Sequence, residues 1–403
     1  LAPLQIHKEK HMQITFSTRW RLAAVSLAVA LSACGGGGDD SNPLGITAVK
    51  VIGDSLSDSG TFAGLPGFGR TFTVQGSRNE PYVTWVERVA KAYDLAALCP
   101  VYKFTGTTFA PNSKTGCTNY AIGGGRINNP TSAGGAVAPL SILRQLQDAG
   151  TAGWAKGDLV AIDGGGNDAA DLVTAYLGAS QDQGAAYQAL LATLLPPATL
   201  QTVLGTAGGA ETAGGLYMQA LADAFSVGIN AQALGKGAQH VVVANIPTIT
   251  YTPRFQGVLD QIAAASGGGT NGATARAQAE GLFKAWINAF NQQLAANFAK
   301  DTRVKIIDVA SRFTDMATRP ASYGLTNVTL PVCGAPGVTA VPERTFADCT
   351  ATALSATTPP PGAPLGATWW EGFLFADGFH PTPYGHSIMG NQVVDVLKAA
   401  DWL

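Results

Sequence analysis

The sequence predicts an α/β fold around a mostly parallel sheet of five strands. Three observations carry that reading. Residues 47–52, 118–122, 159–163, 240–244 and 304–309 are short apolar runs bounded by turn residues, the pattern of buried strands. Helix-like stretches lie between them, which indicates a parallel sheet covered on both faces. The composition, 46% hydrophobic and 13% charged, supplies a large core and argues against global disorder.

The helical stretches follow in order. Residues 81–94 open on Pro81, a residue suited to a first helical turn. Residues 140–149, 169–176 and 216–234 come next. Residues 273–300 place Leu282, Trp286, Ile287, Phe290 and Leu294 at helical spacing. Residues 384–397 close the chain. Three segments break the rhythm: a Gly/aromatic loop over 60–76, a Gly/Ala-rich stretch over 257–272, and a Pro/Gly-rich stretch over 319–368. The last two read as loop insertions, at about 254–272 and 319–368, or as disorder.

The N-terminus reads as a targeting segment. Arg19 and Arg21 flank an apolar run over 22–33, too short to span a bilayer but suited to a signal peptide. Met12 is the expected start, with residues 1–11 ahead of it. Leu31-Ser32-Ala33-Cys34 resembles the lipobox of bacterial lipoproteins, which implies cleavage, a lipid on Cys34 and membrane attachment through it. Residues 35–43 would then be a flexible tether. The domain expectation is a signal segment over 1–33, lipobox Cys and tether over 34–45, and one catalytic domain over 46–403. Without residues 1–33 the chain carries 21 basic and 26 acidic side chains, with no basic run suited to a nucleic-acid partner.

An exported chain meets an oxidising compartment, in the periplasm, at the outer membrane or outside the cell. Besides Cys34 there are four cysteines, Cys99, Cys117, Cys333 and Cys349. They allow three connectivities, and sequence alone does not choose among them. Neighbour pairing is the expectation, because each pair would staple one loop-rich stretch. No metal-binding spacing occurs, so no cofactor is expected.

Four short elements could carry chemistry. The first strand runs into Gly53-Asp54-Ser55-Leu56. In an open parallel sheet ligands sit beyond the carboxyl ends of strands, so Ser55 would project into the crevice. Near the C-terminus, Asp377-Gly378-Phe379-His380 can fold so that the carboxylate holds one imidazole nitrogen and frees the other as a base. Asn119-Tyr120-Ala121-Ile122-Gly123-Gly124-Gly125 and Asp163-Gly164-Gly165-Gly166-Asn167-Asp168 are Gly-rich turns after strands. Backbone N–H groups there, with the Asn167 side chain, suit an oxyanion. Each element alone also reads as an ordinary turn or helix cap.

Together, and in this order, the four blocks resemble the GDSL esterases and lipases, or SGNH hydrolases, from Val51 to about Gly390. The resemblance implies a three-layer α/β/α, flavodoxin-like fold and ester hydrolysis through an acyl-enzyme. It implies Ser55 as nucleophile, Asp377 and His380 as the acid–base pair, and an oxyanion hole of Ser55 N–H, Gly124 N–H and the Asn167 side chain. The choice of Gly124 over its neighbours rests on counting from Asn119. A small-molecule or lipid ester is the implied substrate. Polysaccharide deacetylation and phospholipid cleavage are further options within the family, and an inactive surface binding protein is a remote one. His240 and His386 read as structural, and Trp369, Trp370, Phe373 and Phe375 as either pocket or core.

Overall fold

The computed structural model describes residues 42–76, 83–334 and 339–403. Cys34, residues 1–33 where a signal segment is expected, and Pro81 lie outside them. The chain begins with β1 (Ala48–Ile52), α1 (Trp85–Ala92), the antiparallel pair β2 (Tyr102–Phe104) and β3 (Phe109–Pro111), α2 (Ile142–Ala152) and β4 (Asp158–Ile162). Next come α3 (Gly166–Asp182), α4 (Ala185–Leu191), α5 (Pro197–Leu204), α6 (Gly209–Gln232), β5 (His240–Ala244), α7 (Pro253–Ala265) and α8 (Gly269–Phe298). The last elements are β6 (Val304–Ile307), α9 (Val309–Thr318), β7 (Asn327–Pro331), α10 (Ala351–Ser355), β8 (Phe373–Phe375) and α11 (Pro383–Ala399).

The central sheet is parallel throughout, in the order β1-β4-β5-β6. Alternate strand residues point to opposite faces, and that alternation makes the three layers. Ile52, Val160, Ile162, Val241 and Val243 join one core with residues of α2, α3, α6 and α8. Val49, Val51, Leu159, Ala161, Val242 and Ala244 join a second core with residues of α1, α9 and α11. Among the described residues no helix is long and apolar enough to cross a membrane.

Three sequence expectations need correction. The sheet has four regular strands, not five. Residues 118–122 run parallel beside β1, through Val51 N–H to Thr118 O at 3.0 Å and Tyr120 N–H to Val51 O at 2.7 Å. The ladder stops there because Gly53 N–H donates to Gln145 Oε1 at 2.9 Å and Val49 O accepts from the Thr118 hydroxyl at 2.8 Å, side-chain bonds that compete with strand pairing. The stretch over 257–272 is mostly helical. Thr252 caps α7, Pro253 opens it, and Phe255 and Leu259 bury its inner face. Gly267 and Gly268, both at positive φ, form the corner into α8.

The stretch over 319–368 is also more than loop. It contributes β7, which pairs in parallel with β8, and α10. Disulfides join Cys99 to Cys117 and Cys333 to Cys349, the neighbour pairing. Cys333 and Cys349 sit in a third, smaller core with Val74, Leu354, Trp369 and Phe373.

Candidate active site

Counting the 118–122 segment, the sheet order is edge segment, β1, β4, β5, β6. Its strand order reverses between β1 and β4, where an open α/β sheet forms a crevice at its carboxyl edge. Ser55 lies just beyond β1, in a turn closed by Ser57 N–H and Asp58 N–H donating to Asp54 O at 3.1 and 3.0 Å. Asn167 lies just beyond β4, in the first turn of α3.

The C-terminal pair comes from outside the main sheet. β8 ends at Phe375, and the chain folds back through Ala376 N–H to His380 O at 2.8 Å. Thr382 then caps α11, with Pro383 as its first residue. Within this tight turn Asp377 Oδ1 accepts from Phe379 N–H at 2.8 Å and His380 N–H at 2.6 Å. Thr73, from the Gly/aromatic loop, ties the turn down through its hydroxyl to Pro381 O at 2.7 Å.

These placements align three side chains. Asp377 lies 3.0 Å from His380 Nδ1, and Ser55 Oγ lies 2.7 Å from His380 Nε2. An ionised carboxylate only accepts, so Nδ1 carries the ring proton and Nε2 accepts from the Ser55 hydroxyl. Burial opposes charging His380, but the Asp377 carboxylate overcomes it and Asp54 adds to the effect. The imidazole pKa is therefore held above its ordinary value. Burial likewise opposes charging Asp377, and the field of His380 with the two N–H donors wins, holding its carboxyl below the usual range. Such a relay can take a proton from a hydroxyl and hold the resulting charge.

Ser55, Gly124 and Asn167 line one pocket of about 250 Å³ with Phe72, Arg254, Phe379, Asp377 and His380. The structure distinguishes Gly124 from its neighbours. Gly123 N–H donates to Asp58 at 2.9 Å, and Gly125 N–H to Ile122 O at 2.9 Å. Gly124 N–H has no protein acceptor among the described residues. Its φ is +81°, in the left-handed region, and Arg126 donates to its carbonyl at 2.7 Å, fixing the peptide that follows. Asn167 Nδ2 donates to Gly125 O at 3.0 Å and, more weakly, to Asp54 at 3.4 Å.

The sequence pattern of the GDSL-like lipase/acylhydrolase family matches residues 49–393. The chain belongs to that family. It is an ester hydrolase at that level. No curated protein matches the chain. Among solved structures 23 chains match. One is a lipase, Lip_vut3, from a goat rumen metagenome; it is 14% identical, with a TM-score of 0.36, covering 88% of this chain and 97% of that one.

In this GDSL-like hydrolase the other candidates take structural places. His386 is buried on α11 and its pKa is pushed down to about 3 by burial, with the charges of His380 and Arg88 adding. His240 packs against Trp402, ring to ring at 5.0 Å. Trp369, Trp370 and Phe373 belong to the third core, and Phe375 to the second. The aromatic wall of the site is instead Phe72, Phe346 and Phe379, each about 5.5 to 5.7 Å from the His380 ring. The Gly/aromatic composition of 60–76 hinted at Phe72. Nothing in the sequence marks Arg254, whose helix α7 brings it to the pocket.

Proposed function

We propose that the protein hydrolyses carboxylic esters through an acyl-enzyme on Ser55. The 2.7 Å contact from Ser55 Oγ to His380 Nε2 carries this reading. His380 removes the hydroxyl proton as Oγ attacks the ester carbonyl. Asp377 orients the ring and stabilises the imidazolium. The carbonyl oxygen becomes an oxyanion facing Ser55 N–H, Gly124 N–H and Asn167 Nδ2. Asn167 reaches it by giving up the 3.4 Å bond to Asp54. His380 then protonates the departing alcohol, and water activated by the same base releases the acid.

The sign of the pH dependence follows. The base must be neutral, so activity falls as pH drops through the His380 pKa. That pKa is raised, so the acid limb lies above 6.5. A fluorophosphonate probe with mass spectrometry tests the nucleophile. An adduct on Ser55 is expected. Adduct on another residue points to a different nucleophile, and no adduct would favour a binding protein that has lost catalysis.

A polar ester, such as an acylated sugar, is a second substrate reading. A groove of about 1060 Å³ shares Arg254, Asp377 and Gly378 with the catalytic pocket, and Gln256, Asp260, Gln261 and Arg344 also line it. A panel of acyl-chain esters, phospholipids and acetylated sugars separates the readings. Export and a lipid anchor on Cys34 complete the proposal, supported by two disulfides of the kind an oxidising compartment yields. Mass analysis of the protein from its native membrane tests the anchor; a free Cys34 thiol rejects it.

A further inference from the structure

A second acid group lies directly beneath the oxyanion side of this site. Asp163 follows β4 and Asp54 follows the end of β1, so the two face each other across the point where the strand order reverses. Both are buried, at 4% and 5% exposure. The approach is close enough that Gly53 cannot carry a side chain: a Cβ there would overlap Asp163 Oδ1.

The surroundings of the two carboxyls differ. Asp54 accepts from Leu56 N–H at 3.0 Å and from Asn167 at 3.4 Å. Burial pushes its pKa up, and the Leu56 N–H, the Asp163 side chain and the positive charge of His380 and Arg126 act against that rise. Asp163 accepts from the Ser57 hydroxyl, at 2.7 Å on Oδ1, and faces the Asp54 backbone N–H. Among the described residues no cation stands among the main groups that act on it. Its Oδ2 is buried with no donor among the described residues. The Asp54 side chain and its charge act on Asp163, and the two residues line one small cavity. Two carboxylates in contact repel, and they form a hydrogen bond only with a proton between them.

We propose that Asp163 is a positioning residue that stays protonated and donates that proton to Asp54, fixing the carboxylate that holds Asn167 and faces His380. The proton belongs on Asp163 because the positive groups gather on Asp54. Asp54 then keeps its charge. Burial and the neighbouring Asp54 charge both push the Asp163 pKa well up, in the same direction. Asp163 touches no substrate, so it acts through Asp54 and Asn167. The effect on rate rests on the ester-hydrolase reading; the protonation state does not.

Linkage gives a test that needs no activity. An acid protonated in the folded state and ionised in the unfolded chain binds more protons when folded. Stability then falls as pH rises from the unfolded pKa of about 4 towards the raised folded one. Asp163→Asn keeps the donor and removes the titration. Its Tm relative to wild type should therefore climb steadily as pH rises above about 4, and the infrared difference spectrum should lose one carboxylic-acid C=O band. On ester substrate Asp163→Asn should keep kcat within about threefold, whereas Asp163→Ala should lose about tenfold, the effect of one buried acceptor left without its donor. A Tm difference flat in pH, with no acid band lost, overturns the proposal. It would mean two ionised carboxylates, with a cation or water in the cavity of about 20 Å³ that both line. Equal loss in the Asn and Ala variants overturns it too. If no variant or wild type hydrolyses any ester while the Tm and infrared results hold, the ester reading fails and the shared proton stands.

Discussion

The two halves of the site are built differently. Ser55, Gly124 and Asn167 stand on turns at the carboxyl edge of the main sheet, continuous with strands that are buried on both faces. Asp377 and His380 stand on a two-stranded annex, β7–β8, backed by the separate core around Cys333 and Cys349. The half proposed to carry the nucleophile inherits its rigidity from the largest core of the molecule. The half proposed to carry the base depends on a small sheet whose Leu374 and Phe375 join the second core, on one disulfide and on the Thr73 tether. The 2.7 Å Ser55–His380 contact is the seam between them.

Breaking either side of that seam should have the largest effect. Ser55→Ala or His380→Ala should lower kcat by up to about 10⁶-fold, as when a unit of coupled catalytic groups loses one member. Steady-state kinetics on a chromogenic ester measure this, and retention of most activity in Ser55→Ala would sink the nucleophile assignment. Asp377→Asn should cost roughly 10⁴-fold and leave the fold intact. Because Asp377 is what holds the imidazole pKa up, the residual activity should also extend to lower pH. An unmoved acid limb would detach Asp377 from His380. Asn167→Ala removes one oxyanion donor and should cost about 10²–10³-fold in kcat with little change in KM.

The smallest expected effects sharpen the comparison most. The two disulfides close loops of similar length, with sequence separations of 18 and 16. Each should contribute about 3 kcal/mol by the chain-entropy argument. Their consequences for activity should differ. Replacing Cys333 and Cys349 by Ser loosens the core behind the base half and the loop that holds Phe346 against His380. It should lower kcat. Replacing Cys99 and Cys117, which are half-buried at the edge of the main sheet, should lower Tm and spare kcat. Equal losses of kcat would show that the halves are not mechanically separate.

The layering was legible because strand burial follows local pattern. The run from Leu159 to Ile162 in β4 is apolar at every position, which suits a strand only where helices cover both faces. The helical nature of 253–265 was obscured by Gly257 and the glycines at 267–269, whose turn role depends on α8 packing back alongside. The expected fifth strand stopped short because Gly53 N–H turns to Gln145 and the Thr118 hydroxyl takes Val49 O, side-chain bonds that no hydrophobic pattern records. At the site, the four motif blocks could be read because their residue types are those the chemistry requires. Which glycine offers a free N–H depended on where Asp58 and Ile122 stood, and that is a matter of three-dimensional hydrogen bonding.

By itself the sequence determined the strand–helix alternation and the family, and it singled out Ser55, Asp377 and His380 as candidates, since each follows from residue type and local spacing. Only the tertiary structure decided what surrounds them. The aromatic wall of Phe72 and Phe346, the approach of Arg254 and the meeting of Asp54 with Asp163 join residues from distant parts of the chain. Local pattern carries no information about such contacts; they arise when separate strands end at one edge of one sheet.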